Sequence, residues 1–355
     1  MIINMSLFLA ILGITKTESD NTGTALDKIK ILLQEYLPLP LINLYRIYTY
    51  NLSLAVNKQP WSILKNLLNT TQKIFHKRQT ILFYPDFPYR KATIYQICLL
   101  LGYKITNNPK KQFDLVINWQ RYQTFFTEEA ILSEFSQQQN CTVVNLNCQD
   151  VSKSFINQIF YEAFGYSIAV DPLTYTGKCV VKSNLNAQHD GQIISCPMEQ
   201  IETSESEVVY QKFIDNELEE CTVIDYRVPI FKQVIPFVYV YIKHNKTETQ
   251  RFFGYPSLIS VQAIETSTVF NQDEINKILS FCQKLGLDYG ELDILRDNID
   301  QQIYIVDANN TPSSRLLFEP LQLPLEKCIL EAGDRKIALE KMATAFQKEF
   351  LNIES

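Results

Sequence analysis

The strongest constraint on the fold is a segment near the C-terminal end, where two apolar runs flank the polar stretch Asp297–Gln302. Apolar runs on both sides of a polar turn predict a β-hairpin. If the hairpin is symmetric about position 300, Asp293 lies across from Asp307, and Glu291 lies across from Asn309. Because side chains alternate along strands, these four polar residues share one face. The opposite face carries apolar side chains, which are Leu292, Ile294, Val306 and Ala308.

Two facing carboxylates are unfavourable unless something compensates their charge. At about 4 Å the repulsion is on the order of 1 kcal/mol in water, and several-fold more at a lower effective dielectric. A divalent cation removes the conflict, and Mg²⁺ accepts one or two carboxylates together with substrate phosphates. The alternative interpretation is a solvated sheet face on which the repulsion is screened. The hairpin pattern alone does not decide between the two.

The chain of 355 residues is long enough for two or three domains. Residues 1–78 are predicted to be mostly helical. From 79 to 160, buried strand patterns alternate with helical ones, which predicts a small parallel sheet covered by helices. From 161 to 355 the strand patterns are denser and suit antiparallel pairing, with helices predicted over 272–285 and 335–350. The predicted fold class is therefore mixed, with an α/β part followed by an α+β part.

Composition excludes several classes of protein. The formal net charge is −6, and the chain has no long Lys/Arg run, which argues against nucleic-acid binding. No apolar stretch reaches the length of a membrane span. The apolar stretch at 1–14 lacks a preceding basic residue and a signal cleavage site, so it is predicted to be a buried strand or helix. The eight cysteines form no C-x-x-C pair, which is typical of reduced core cysteines in a cytoplasmic protein. A homodimer is compatible with this composition.

A strand pattern at 179–182 ends in Lys182, and a polar loop follows that ends with His189 and Asp190. A compact ammonium group at a strand end suits a phosphate as a point charge. His189 could donate to a phosphate, act as an acid or base, or order the loop through Asp190. The alternative interpretation is an exposed lysine followed by an ordinary surface loop.

Two further strand patterns carry candidate ligand contacts. One ends at Gln211 and continues to Phe213, and the other, at 222–231, contains Arg227. The guanidinium fork of Arg227 suits a pair of phosphoryl oxygens. Alternatively, Arg227 forms a salt bridge with Asp225 or a neighbouring acid, and the strand that ends at Gln211 is a plain core strand.

The order of these segments resembles the ATP-grasp enzymes. In that family a D-x-x-x pattern is followed by a strand ending E/D-x-N-x-x-P, and here the second part reads D-A-N-N-T-P from Asp307 to Pro312. The resemblance covers about 165–325. The segment at 79–160 is similar to the small α/β domain that usually precedes the ATP-grasp fold.

The resemblance implies a site for ATP and Mg²⁺. Asp293, Asp307 and Asn309 would hold one or two Mg²⁺ ions against the ATP phosphates. Glutamate is more usual at the position of Asp307, and the shorter arm of aspartate leaves the number of ions open. Lys182 and Arg227 would contact the phosphates or the transferred group and would be the catalytic residues.

The remaining nucleotide contacts follow from the same resemblance. His189 and Asp190 would belong to a flexible loop that closes over the phosphates. Gln211 and the backbone of Phe213 would contact the adenine. Weaker candidates for phosphate or substrate contacts are Lys243 and Arg296.

The resemblance implies an ATP-dependent ligase that joins a carboxylate to an amine through an acylphosphate and releases ADP and phosphate. The alternatives are a phosphotransferase acting on an alcohol or sugar, and a nucleotide-binding protein without turnover. The P-loop and G-x-G-x-x-G motifs of other nucleotide folds are absent. The carboxylate substrate, a small molecule or a peptide, and its nucleophile stay unidentified. Substrate contacts are expected after the first strand of the parallel sheet, at Tyr84, Asp86, Tyr89 and Arg90.

Overall fold

The computed structural model describes residues 79–353, apart from 122, 140, 187, 189, 202–206, 245–256 and 314–331. All the described residues belong to one compact unit, His76–Ser355. The region 1–78, with its predicted helices and its apolar first stretch, lies outside them. Within the described ranges, no helix combines the length and the apolar character that crossing a membrane requires.

The first part of this unit is a parallel sheet with helices. Its elements are β1 (Thr80–Pro85), α1 (Thr93–Leu101), β2 (Lys104–Thr106), β3 (Leu115–Trp119), α2 (Glu129–Gln139) and β4 (Val143–Val144). The strands run parallel in the order β2-β1-β3-β4. The predicted parallel sheet is confirmed. Its last strand has only two residues, because the backbone turns at Asn145 with a φ of 60°.

Helix α3 (Lys153–Phe164) leads from the parallel sheet into a three-stranded antiparallel sheet. This sheet consists of β5 (Gly177–Ser183), β6 (Gln192–Cys196) and β7 (Val208–Lys212), in the order β6-β5-β7. The sequence pattern predicted β5 and β7 but not β6, in which no residue before Cys196 is fully buried.

The rest of the unit is a six-stranded antiparallel sheet with helices. Its elements are β8 (Glu217–Glu219), β9 (Thr222–Phe231), β10 (Val238–His244), β11 (Ser257–Ile264), α4 (Thr266–Val269), α5 (Gln272–Leu285), β12 (Tyr289–Arg296), β13 (Ile303–Asn309) and α6 (Ala332–Leu351). The strand order is β11-β10-β9-β12-β13, with β8 pairing on β9. Mixed α+β architecture is thus confirmed, while the domain boundaries at 78 and 160 stay predictions.

The hairpin β12–β13 has the predicted register at its open end. Asp293 pairs with Asp307, and Glu291 pairs with Asn309. The register then shifts, so that Ile305 rather than Val306 lies across from Ile294. The sequence reasoning missed this bulge. An extra residue in one strand leaves the ladder locally disrupted, and Val306 has no cross-strand partner here.

The apolar face of the hairpin packs into the main core, as predicted. Leu292, Ile294 and Ala308 are fully buried there, together with side chains from α3 and α5 such as Phe160 and Phe281. Fixing one face of β12 in the core forces its alternate side chains onto the other face. The polar face of the hairpin therefore follows from the packing of the apolar one.

At one junction, hydrogen bonds and a close backbone approach connect the parallel sheet to the start of β12. The Asn145 amide oxygen accepts from the backbone N–H groups of Asp288 and Tyr289 at 2.9 and 2.8 Å, and its amide nitrogen donates to the Tyr289 carbonyl oxygen at 2.8 Å. Next to it, Gly286 ends α5 with a φ of 72°. A Cβ at Gly286 would lie 2.5 Å from the backbone of Asn147. The junction therefore has no room for a side chain at this position.

We expect Gly286→Ala to destabilise the protein strongly, because the new methyl group meets backbone atoms. Gly102→Ala is the matched control, since Gly102 ends α1 with a similar φ of 69° but has no atom within 4 Å of its Cβ position. The control should lose about 1 kcal/mol from left-handed strain alone. Gly286→Ala should lose about 2 kcal/mol more through overpacking. Urea denaturation measures both free energies of unfolding, and equal losses would contradict the close approach.

Candidate functional site

A row of charged side chains crosses three neighbouring strands of the six-stranded sheet. Arg227 on β9 pairs with Asp293 on β12, and Asp293 pairs with Asp307 on β13. Directly opposed residues lie on the same face of a sheet. Two carboxylates therefore stand side by side with one guanidinium beside them.

Arg227 holds two carboxylates. Its Nη1 atom donates to Glu291 Oε1 at 3.2 Å, and its Nε atom lies 3.4 Å from Asp293 Oδ1. The guanidinium also lies over the ring of Tyr241 on β10, 5.3 Å from the ring centroid. Asp293 raises the pKa of Arg227, and Glu291 raises it further. Arg227 is therefore a fixed positive charge that partly neutralises two acids.

Asp307 is compensated from the other side by lysines. The Lys153 ammonium forms an ion pair with the Asp307 carboxylate. On β5, the Lys182 ammonium donates to the backbone carbonyl of Val306 at 3.1 Å. That carbonyl belongs to the bulge residue, which lacks a cross-strand partner. The bulge therefore gives Lys182 a fixed position beside Asp307.

The three acids of the face have different proton affinities. Burial raises the pKa of Glu291 to about 7, and the neighbouring Asp293 contributes to the rise. Burial also raises the pKa of Asp293, with a further contribution from Asp307. Burial opposes ionisation of Asp307 as well, but Lys153 and Lys182 outweigh it and lower the pKa of that carboxyl. Asp307 is therefore the acid that ionises most readily.

Lys182 is perturbed in the opposite sense. Its pKa is lowered to about 8, chiefly by burial and also by the positive charge of Lys153. Asp307 and Asp293 act against this shift. Two lysines and an arginine thus lie beside the acids of this face, Lys153 and Arg227 in ion pairs and Lys182 through the Val306 carbonyl. An incoming anion would meet a cluster of cations that is already assembled.

The structure places the other predicted residues as follows. Asp190 accepts a hydrogen bond from the backbone N–H of Ser183 at 3.1 Å, which ties the end of the polar loop to the end of β5. His189 lies outside the described residues. Asn309 lies at the end of β13, where its side-chain oxygen accepts from the backbone N–H of Thr311 at 2.9 Å. The Thr311 hydroxyl also approaches the same oxygen, at 3.5 Å.

Gln211 and Phe213 have protein partners. The Gln211 side chain is buried and donates to Asn157 on α3 at 2.6 Å. The backbone N–H of Phe213 donates to the Lys178 carbonyl oxygen at 3.2 Å. The structure therefore does not bring the Gln211 side chain into the charged cluster.

The two weaker candidates differ. Lys243 forms an ion pair with Asp225, and its ammonium lies 5.6 Å from the ring centroid of Tyr241, on which Arg227 also rests. Arg296 instead donates to Glu274 on α5 at 2.6 Å and to backbone carbonyls. Lys243 therefore borders the charged cluster, whereas Arg296 ties the hairpin to α5.

The loop after β1 meets the chain just beyond Asn309. The backbone N–H of Thr93 donates to the Pro312 carbonyl oxygen at 3.2 Å. Within the loop, Asp86 accepts from the backbone N–H of Arg121 at 3.0 Å, and the Arg121 guanidinium lies 4.4 Å from the ring centroid of Tyr89. The predicted substrate loop is therefore in contact with the segment that follows the hairpin. Arg121, in the loop after β3, packs against it and is not among the residues predicted from the sequence.

Lys153 is the main residue that sequence reasoning missed. It is the first residue of α3, directly after Ser152, whose hydroxyl accepts from the backbone N–H of Phe155. A cation is disfavoured at a helix N-terminus because of the helix dipole. A lysine directly after a capping serine was the available sequence signal, and its burial in the structure requires an acidic partner. That partner, Asp307, lies 154 residues further along the chain.

The donor set fits a metal that shares its coordination with a ligand. Within the described residues, no group of three or more His, Cys, Asp or Glu side chains could hold a metal ion by itself. Magnesium usually takes one or two carboxylates and completes its shell with water and phosphate oxygens. Asp293 and Asp307 supply two, and each already has a cation, Arg227 and Lys153, as its partner. Both acids are therefore already paired with positive charge, which a bound metal would replace.

No family model matches the chain, and no curated protein matches its sequence. Among solved structures, it is similar to the D-alanine–D-alanine ligase from Bacillus anthracis, at 14% identity, covering 78% of this chain and 98% of that chain, with a TM-score of 0.47. It is also similar to the ATP-grasp ligase PsnB complexed with its minimal precursor, at 12% identity, covering 68% of this chain and 92% of that chain, with a TM-score of 0.43. A third is the macrocyclase MdnC bound with precursor peptide MdnA from Microcystis aeruginosa MRC, at 10% identity, 77% and 99% coverage, and a TM-score of 0.42. The solved structures that the chain resembles thus include ATP-grasp ligases, as expected from the sequence.

We expect Lys153→Met to lower the free energy of unfolding by about 2 kcal/mol in magnesium-free buffer. The substitution leaves Asp307 facing Asp293 without its lysine, and breaking a buried ion pair is costly, although the partial exposure of Asp307 reduces the effect. Lys277→Met is the matched control, because Lys277 forms an exposed pair with Asp273 within α5. The control should change stability by less than about 0.5 kcal/mol. Denaturant titration that finds the two variants equal would show that Lys153 does not stabilise the facing acids.

Proposed function

We propose that this face binds Mg-ATP and that the protein is an ATP-grasp enzyme. The observation that carries the proposal is the facing pair Asp293 and Asp307, enclosed by Lys153, Lys182 and Arg227. Acids alone would suit a cation, and bases alone would suit an anion. Acids and bases side by side suit a ligand that consists of a metal ion and a polyphosphate.

In this proposal the acids and the bases take separate parts of the ligand. Asp293 and Asp307 would hold Mg²⁺, and the Asn309 amide oxygen would complete the protein ligands in place of its 3.5 Å contact with the Thr311 hydroxyl. Bound magnesium would neutralise charge on the phosphate oxygens. Lys182 and Lys153 would bind the phosphates as point charges, and the guanidinium of Arg227 would bind a pair of phosphoryl oxygens.

We further propose ligase chemistry, in which a carboxylate substrate is activated as an acylphosphate and is then attacked by an amine. The support is the motif order of the ATP-grasp enzymes along the sequence. The chain's own residues would position the reactants and neutralise charge, rather than form a covalent intermediate. Arg227 and Lys182 are suited to this task because both are held in place by hydrogen bonds before any ligand arrives.

The substrate would enter from the side of the parallel sheet. Tyr89 and Arg121 lie in the loops after β1 and β3, and this edge contacts Pro312, three residues beyond Asn309. Ligands of α/β folds often bind where parallel strands end. An arginine stacked on a tyrosine at that edge would suit a carboxylate group on a small molecule or a peptide.

The binding site is tested by calorimetry of Mg-ATP with wild type, Asp293→Asn, Asp307→Ala and Lys182→Met. We expect each variant to lose at least about tenfold in affinity, the effect of removing one charge-assisted contact. Asp273→Asn is the control, because Asp273 is an exposed acid on α5 outside the face. Unchanged affinity in all three site variants would overturn the assignment of the site.

The reaction is tested by analysing products with candidate carboxylates and amines. A ligase releases ADP and phosphate only when both substrates are present. A phosphotransferase yields ADP and a phosphorylated alcohol or sugar, and a binding protein yields neither. If ligation occurs, Arg227→Ala should lower its rate by about 10²–10³-fold, as expected for a group that stabilises transition-state charge. Ligation at the wild-type rate in that variant would remove Arg227 from the mechanism.

A further inference from the structure

Arg227 has two carboxylate partners, whereas its proposed role in phosphate binding requires only N–H donors that are free for the phosphate. Its Nη1 atom bonds to Glu291 at 3.2 Å, while its Nε atom faces Asp293 at 3.4 Å. Glu291 is the more deeply buried of the two acids, with a side chain 9% exposed against 36% for Asp293. The hydrogen bond to Glu291 and the ion pair with Asp293 use different nitrogen atoms of the guanidinium.

A bound metal would affect the two carboxylate partners of Arg227, Asp293 and Glu291, differently. Asp293 lies directly across from Asp307, and a metal held by that pair would draw Asp293 away from the guanidinium. Glu291 lies two residues before Asp293 on β12, across from Asn309. It would keep its bond to Nη1 while Nε became free. The same arginine would then have one anchored nitrogen and free donors for a phosphate.

Glu291 has no direct part in the proposed metal and phosphate contacts of this face. A carboxylate near a bound polyphosphate repels it and would weaken its binding. A fixed bond to Arg227 changes the sign of the contribution, because it holds a cation in the position that the phosphate needs. A long, flexible side chain without such an anchor loses conformational entropy on binding its ligand.

We propose that Glu291 is a positioning residue for Arg227, which holds the guanidinium in place for the phosphate when magnesium takes Asp293. The inference rests on the proposed Mg-ATP site. Glu291 acts through Arg227 and makes no contact of its own with the nucleotide. Without Glu291, Arg227 would pair with Asp293 alone and would compete with the metal for it.

The test is a double-mutant cycle on the affinity of Mg-ATP. Calorimetry compares wild type, Glu291→Ala, Arg227→Ala and the double variant, at one magnesium concentration. In the wild-type background, we expect Glu291→Ala to weaken binding about tenfold, as for the loss of a hydrogen bond to a charged group. In the Arg227→Ala background, the same substitution should leave the affinity unchanged or increase it, because only the repulsion is removed.

The conservative variant Glu291→Gln separates positioning from general stability. Its amide oxygen can still accept from Nη1, so it should recover part of the affinity that Glu291→Ala loses. It also serves in the cycle if the alanine variant does not fold. A second readout is the magnesium concentration for half-maximal ATP binding, which should rise in Glu291→Ala because Arg227 then competes for Asp293.

Two outcomes overturn the proposal alone. One is an equal loss of affinity in both backgrounds, which would mean that Glu291 does not act through Arg227. The other is a gain in affinity in the wild-type background, which would mean that repulsion dominates. If wild type itself does not bind Mg-ATP, the proposed function fails, and this inference fails with it.

Discussion

The charged face depends on how the start of β12 is fixed. Asn145, at the end of the parallel sheet, uses both ends of its side-chain amide on the backbone of Asp288 and Tyr289. From that anchor, strand alternation decides which side chains of β12 face the core and which face the polar side. A slip of one residue would exchange Leu292 with Glu291 and Asp293, and would bury acids in the core. The junction therefore fixes the register on which the proposed site rests.

The cluster is balanced in charge before any ligand binds. Asp293 and Asp307 would repel each other, but Arg227 approaches from β9 and Lys153 approaches from α3. Each of these cations comes from a different part of the fold, so the face exists only when the parts are assembled. The cost of burying the charges is offset by their pairing. A ligand that carries both a metal and phosphates would exchange these partners for its own without leaving a charge unpaired.

Much of the fold could be predicted from local patterns. The helix at 272–285 was predicted with the bounds that the structure gives, because Gly286 stops the helical pattern; the structure shows that Asn271 caps its start. The hairpin pairing of Asp293 with Asp307 was predicted because apolar alternation around a polar turn permits few registers. The bulge at Val306 was not predicted, since it changes only the pairing and leaves the hydrophobic pattern almost intact. Lys153 on helix α3 was not predicted as a site residue, because its ion-pair partner, Asp307, lies in a distant strand.

The sequence by itself determined the strand alternation that gathers Glu291, Asp293, Asp307 and Asn309 on one face. That pattern has a period of two residues and needs no knowledge of distant contacts. Only the tertiary structure decided which cations meet these acids, because Lys153 and Arg227 approach them from elements far away in the chain. It also decided that Glu291 holds Arg227 rather than standing alone. Pairwise charge contacts depend on three-dimensional distance, whereas alternation depends on local backbone geometry.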